Sequence, residues 1–252
     1  MESYYYVLAL LIGLSLGSFF NVIIFRFDSG RTVVKGRSEC LSCRSVIRWF
    51  DLIPVLSYFI LRGRCRKCKE NISPLYPIVE ISTAVILLLL FLNTPVISYL
   101  TLLNTLVVLL LVLVIFLDIR YFIIPDKIAI LLTAATIGLK TLGNNEDFLY
   151  LLISALGLTA FFAILFLVSK GRWIGLGDIK LIFLIGLLLG YPMGYIAIVS
   201  SVWLAALFSM ALLVVKKATM KTEVPFGSFL SATTIIFIIF GNELQKISKY
   251  FY

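Results

Sequence analysis

The feature that most limits what this chain can fold into is the length of its apolar runs. Blocks at 4–25, 76–93, 97–117, 127–142, 148–168, 179–190, 193–215 and 226–241 are dominated by aliphatic and aromatic residues. A helix on the surface of a soluble domain shows a polar stripe at every turn, and these blocks show almost none. Most approach the roughly 20 apolar residues that cross a bilayer as a helix. Spanning strands would alternate polar and apolar residues, and these blocks do not. Composition agrees: 61% of the 252 residues are hydrophobic and the mean hydropathy is +1.08, where a soluble domain is about half apolar. The sequence predicts an all-α, polytopic integral membrane protein with about eight transmembrane helices. The block at 179–190 is short for a span and calls for tilt or shielding by protein.

Charge then orients the chain. The net charge of +9 does not point to nucleic acid, because the basic residues sit between the apolar blocks and no RNA- or DNA-binding motif is present. Of the 22 Lys and Arg residues, all but Lys140, Lys246 and Lys249 fall in alternate segments, beginning with the one after residue 25. Segments rich in Lys and Arg stay cytoplasmic, so the N-terminus is expected outside and residues 26–75 inside. Only Glu2 precedes the first block, with no basic region before it and no small-residue cleavage site after it; it reads as an uncleaved first span. The expected organisation is a first transmembrane helix at 1–25, a cytoplasmic domain at 26–75 and a membrane-embedded core at 76–252.

The polar segment holds all four cysteines, as Cys40-x2-Cys43 and Cys65-x2-Cys68 separated by 21 residues. Each pair can turn two thiolates toward one metal, and two such turns complete a tetrahedral four-sulfur site, which predicts a structural zinc. A cytoplasmic address disfavours two disulfides. So small a loop has little apolar surface to fold on, so metal binding would supply much of its folding energy. His is absent, which excludes a His-based metal site and a Ser-His-Asp triad.

Two acids stand out because carboxylates at the ends of apolar helices are costly unless they face water or each other. Asp118 ends the run Val114-Ile115-Phe116-Leu117, and Asp178 follows Gly175-Leu176-Gly177. An aspartic protease needs two carboxylates sharing one proton across one water, the charged one acting as base and the neutral one as donor. The glycines permit a close approach of substrate to Asp178. Asp178 also suits a helix N-terminus, where the dipole favours an anion. Asp118 also suits an interfacial site screened by Arg120. Asp126, after Pro125, is a third candidate that reads as the start of a helix. Spacing alone leaves Asp118 and Asp126 both open.

Several segments, in order, resemble the bacterial type IV prepilin peptidases. Gly17-Ser18-Phe19-Phe20-Asn21-Val22 is similar to that family's opening G-S-F-x-N-V. Asp51 through Tyr58, Leu61 through Cys68, Ile72-Ser73 and Tyr76 through Glu80 resemble its cysteine-rich domain. Asp118 to Pro125-Asp126 resembles D-x6-P-[DN], Gly175 to Asp178 its G-x-G-D, and Pro225-Phe226-Gly227 its late P-F-G. The resemblance implies that Asp118, rather than Asp126, pairs with Asp178.

It also implies a bacterial inner-membrane enzyme that cuts the leader from prepilins or pseudopilins after a glycine at the cytoplasmic face. In the long form that carries the cysteine loop, such an enzyme also methylates the new N-terminal residue with S-adenosylmethionine. The chain departs from the pattern in three places. Phe27-Asp28 stands where Leu-Pro is usual, Leu75 where Arg precedes Tyr-Pro, and Ser228 where Pro follows P-F-G. Glu80 is open to two readings, a charge entering the next span or a part in methyl transfer. A reading from another class, a proton- or cation-coupled transporter or scaffold, lacks the paired short helices in repeated halves that transporters show.

Overall fold

A computed structural model describes residues 2–28, 36–94, 98–143, 147–216, 219 and 222–248. Among these residues there are helices, turns and two isolated bridges, and no strand. The chain divides into two compact units, residues 1–95 and 96–252.

The first unit pairs α1 (Glu2–Arg26) with α3 (Leu75–Asn93), and the short helix α2 (Leu56–Ile60) lies between them in sequence. The two long helices touch backbone to backbone. A Cβ on Gly13 would lie 2.5 Å from the Ala84 Cα, and one on Gly17 would lie 2.6 Å from the Glu80 Cα. Lipid tails compete with any apolar side chain, so helices in a bilayer associate through close backbone packing, and a Gly-x3-Gly stripe provides it. At the end of α1, Phe25 stacks on Tyr76 with ring centroids 4.0 Å apart.

The second unit contains α4 (Tyr99–Tyr121), α5 (Asp126–Gly143), α6 (Phe148–Ser169), α7 (Leu176–Leu189), α8 (Met193–Val214) and α9 (Phe226–Ser248). The Ser98 hydroxyl caps α4 by accepting the Thr101 N–H at 3.1 Å. The helix stops where Phe122 turns left-handed at φ 55°, ahead of Pro125. It therefore runs past residue 117 and encloses Asp118. In the core α9 packs against α4, α7 and α8, and α7 also packs against α5, α6 and α8. Leu181, Ile182, Leu184, Ile185, Leu187 and Leu188 on α7 are all buried, as are Val107, Val108 and Leu110 through Val114 on α4. In contrast α6 turns Ile153, Leu156, Phe161, Ile164 and Leu167 outward, and α8 does the same with Trp203, Leu207, Met210 and Val214. Helices that are apolar all round and expose such side chains suit a lipid surrounding.

Every apolar block becomes a helix, but the expected eight spans are not matched by eight helices of spanning length. By length and apolarity, five described helices can cross a bilayer: α1, α3, α4, α6 and α8. The physical reasons differ among the other three. Asp126, Lys127 and Lys140 interrupt α5. α7 has 14 residues, which at about 1.5 Å each reach some 21 Å against a hydrocarbon core near 30 Å. Its side chains pack on protein, so shielding rather than length carries it. In α9 the apolar part is Phe226–Gly241.

Candidate active site

Asp118 lies in the last turn of α4, with only 5% of its surface exposed. Asp178 is the third residue of α7, half-buried, and its Oδ2 accepts the Gly175 N–H at 3.3 Å. A carboxylate at this position uses one of the N–H groups that a helix leaves free at its start. The two carboxylates, sixty residues apart in sequence, lie close enough for the charge of Asp118 to act on Asp178.

The start of α9 closes the site. The Ser228 N–H donates to Asp118 Oδ2 at 2.6 Å. A Cβ on Gly227 would stand 3.1 Å from that same oxygen and 2.9 Å from Ile124 Cδ1. A Cβ on Gly177 would stand 3.1 Å from Ile124 Cδ1 as well. Ile124, 8% exposed, is thus a wedge on which the glycines of α7 and α9 both close, and Asp118 lies beside it. Asp126 takes no part in this cluster. It opens α5 with an exposed side chain and forms an ion pair with Lys180. The sequence pattern contained the glycines but gave no sign of Ile124 or of the Ser228 N–H.

The four cysteines form a second constellation, in the first unit. None is in a disulfide, and the Sγ atoms of Cys40, Cys43, Cys65 and Cys68 lie within 4.8 Å of one another. A tetrahedral metal–thiolate site with bonds of about 2.3 Å sets its sulfurs roughly 3.8 Å apart. Cys40 Sγ and Cys68 Sγ are 3.8 Å apart, so the donor set fits such an ion.

Two copies of one turn build it, one at each cysteine pair. The Cys40 N–H donates to the Ser45 carbonyl and Arg44 N–H to the Cys40 carbonyl; the Cys65 N–H donates to the Glu70 carbonyl and Lys69 N–H to the Cys65 carbonyl. Arg44 and Lys69 are left-handed at φ 54° and 60°, and the bridges Glu39–Val46 and Arg64–Asn71 close each turn. Hydrogen bonds from the Ser45 side chain and backbone lower the Cys43 thiol to about 6. Cys68, although a backbone bond at Glu70 favours its thiolate, is pushed up to about 12 by desolvation and by its three thiol neighbours. A divalent ion bound there would hold all four as thiolates. Of the basic residues around the cluster, Arg66 is held through Nε and Nη2 by Asp51, the closest contact being 2.7 Å.

Glu80, the buried acid of the first unit, accepts the Val55 N–H at 2.7 Å and a 3.4 Å bond from Asn21 Nδ2. Asn21 Nδ2 also donates to the Tyr76 carbonyl at 3.0 Å. These bonds tie the chain before α2 to the α1–α3 pair.

Comparison with known proteins agrees with this division. The Bacterial Peptidase A24 N-terminal domain matches residues 11–94, and the Type IV leader peptidase family matches residues 105–242. The prepilin leader peptidase/N-methyltransferase of Bacillus subtilis (strain 168) is 28% identical over 232 residues, covering 92% of this chain and 93% of its own. The protein of that name from Pseudomonas putida is 29% identical over 270 residues, covering 96% and 93%. Over 80 residues, the one from Myxococcus xanthus (strain DK1622) reaches 42%, covering 32% and 24%. No solved structure matches the chain.

Proposed function

The chain belongs to the type IV leader peptidase family, and on that premise we propose that it cleaves the leader of a type IV prepilin or pseudopilin after a glycine, with Asp118 and Asp178 as the catalytic pair. The observation that carries this reading is the burial of Asp118 against the start of α9, where the Ser228 N–H holds its carboxylate, within range for its charge to act on Asp178. Asp126, paired with Lys180, is left out of it.

In the proposed reaction one carboxylate is charged and its partner is neutral. The charged one takes a proton from water as the water oxygen bonds to the peptide carbon, and the neutral one gives its proton to the carbonyl oxygen. The carbon–nitrogen bond then breaks as the amine receives a proton from the acid that had acted as base. The other carboxylate regains the proton of the collapsing hydroxyl, and the pair returns to one shared proton. A prepilin, with a basic leader ahead of an apolar helix, would lie with its cleavage point at the membrane boundary. Asp118, at the end of a spanning helix, suits that level.

By the same reading the protein lies in the bacterial inner membrane, N-terminus outside, with the cysteine loop cytoplasmic. Cys40, Cys43, Cys65 and Cys68 hold one structural zinc, since four protein ligands leave no position for water. The enzyme also methylates the new N-terminal residue with S-adenosylmethionine as methyl donor. That part rests on the names of the relatives and assigns no donor-binding residue.

Incubating the purified protein with a prepilin peptide tests the proposal. Cleavage after the glycine, lost in Asp118→Asn and in Asp178→Asn, is the expected result. A folded protein that yields no product, or either variant cutting at the wild-type rate, would refute it.

A further inference from the structure

We propose that the backbone N–H of Ser228 positions Asp118 and decides which of its oxygens carries the proton. The inference rests on the assignment of Asp118 to the catalytic pair. The bond is 2.6 Å long and joins residues 110 apart in sequence. Ser228 is the third residue of α9, and the first turn of a helix has N–H groups without intrahelical acceptors. One of them finds its acceptor in Asp118 Oδ2, at the helix end that favours a negative charge. Gly227 makes the approach possible, because a Cβ there would stand 3.1 Å from the same oxygen.

A bond of this kind divides the carboxylate. Oδ2 accepts the N–H, and protonation of Oδ2 would weaken that bond. A proton carried by Asp118 therefore sits on Oδ1, and Oδ1 is the oxygen that exchanges protons with water and substrate. Ser228 is also a position at which this chain departs from the pattern it resembles, where proline follows P-F-G. Proline has no N–H and makes no such bond. The Ser228 hydroxyl is engaged elsewhere, donating to the Pro225 carbonyl at 2.6 Å. What is particular to this chain is thus the amide.

Two substitutions in the full-length protein separate amide from hydroxyl. Ser228→Ala keeps the N–H, and its kcat should stay within about twofold of the wild type. Ser228→Pro removes the N–H at a helix position where no intrahelical bond is lost. Its kcat should fall about tenfold with KM nearly unchanged, because the bond acts on the carboxylate and not on substrate binding. If Ser228→Pro does not fold, an α-hydroxy acid at residue 228, which converts the amide to an ester, removes the same N–H without a ring and should give the same split. Wild-type kcat in the N–H-less variant, or an equal loss in Ser228→Ala, would overturn the inference. Asp118→Asn measured alongside keeps the two questions apart. If it still cleaves, the catalytic pair itself is wrong; if it is dead while the N–H-less variant is fully active, only the role of Ser228 is wrong.

Discussion

At Ile124 a single methyl carbon sets the spacing of the site. Its Cδ1 stands where a Cβ on Gly227 would reach 2.9 Å and one on Gly177 would reach 3.1 Å. Only Gly227 also faces the Asp118 carboxylate, at 3.1 Å. The two alanine substitutions should therefore differ. Gly227→Ala has to move the carboxylate or the start of α9, and a displacement near 1 Å can cost about 100-fold in rate. Gly177→Ala meets side-chain carbon alone and should cost about 10-fold or less, mostly through overpacking. Initial rates of peptide cleavage by the two variants check this order, and equal losses would show that Gly227 does not act through Asp118. Here the sequence was half legible. Acids at the ends of apolar runs are conspicuous because they are costly there, so Asp118 and Asp178 stood out as candidates, although spacing left Asp126 open beside Asp118 and only the resemblance chose between them. The Ser228 amide could not, since a backbone N–H has no signature in residue type. Nor could Ile124, one aliphatic residue among many.

The elements follow two different kinds of logic. Apolar helices announce themselves by composition, so the blocks and the observed helices agree to within a few residues at most ends. The pairing of those helices is decided by which small residues meet. Gly13 and Gly17 lie on one face of α1, opposite Ala84 and Glu80; the Gly-x3-Gly spacing was present in the sequence and would have located this seam. The cysteine loop obeys donor chemistry instead. Its two turns are alike in hydrogen bonding and in the left-handed residue that follows each pair, although they share little beyond the cysteines and a basic residue after them. Metal analysis of the purified protein should find about one zinc per chain. Removing it by chelation should make the loop sensitive to protease while prepilin cleavage persists, because the acids lie on α4 and α7. A metal-free protein whose loop resists protease as the wild type does would contradict the structural role. Loss of cleavage in step with the metal would show that the loop serves the peptidase reaction as well.

For the molecule as a whole, charge and length divide the work. The basic residues predict which segments stay inside, and a protease added to right-side-out spheroplasts should leave the cysteine loop intact, cutting it only once the membrane is opened. Cutting from outside would reverse the orientation. Counting blocks could not supply the number of independent spans, because α7 is buried among neighbouring helices and need not face lipid. The helix carrying Asp178 is enclosed by protein, and its start closes on Ile124, as the start of α9 does. Whether Asp118 and Asp178 act as one unit can be tested by kinetics without a bound substrate in view. Cleavage rates for Asp118→Asn, Asp178→Asn and the double variant are the most direct measurement. Groups that act together are strongly non-additive, so each single substitution should cost as much as the two combined. Losses that multiply, or a single variant that keeps a substantial fraction of the wild-type rate, would contradict a shared-proton pair.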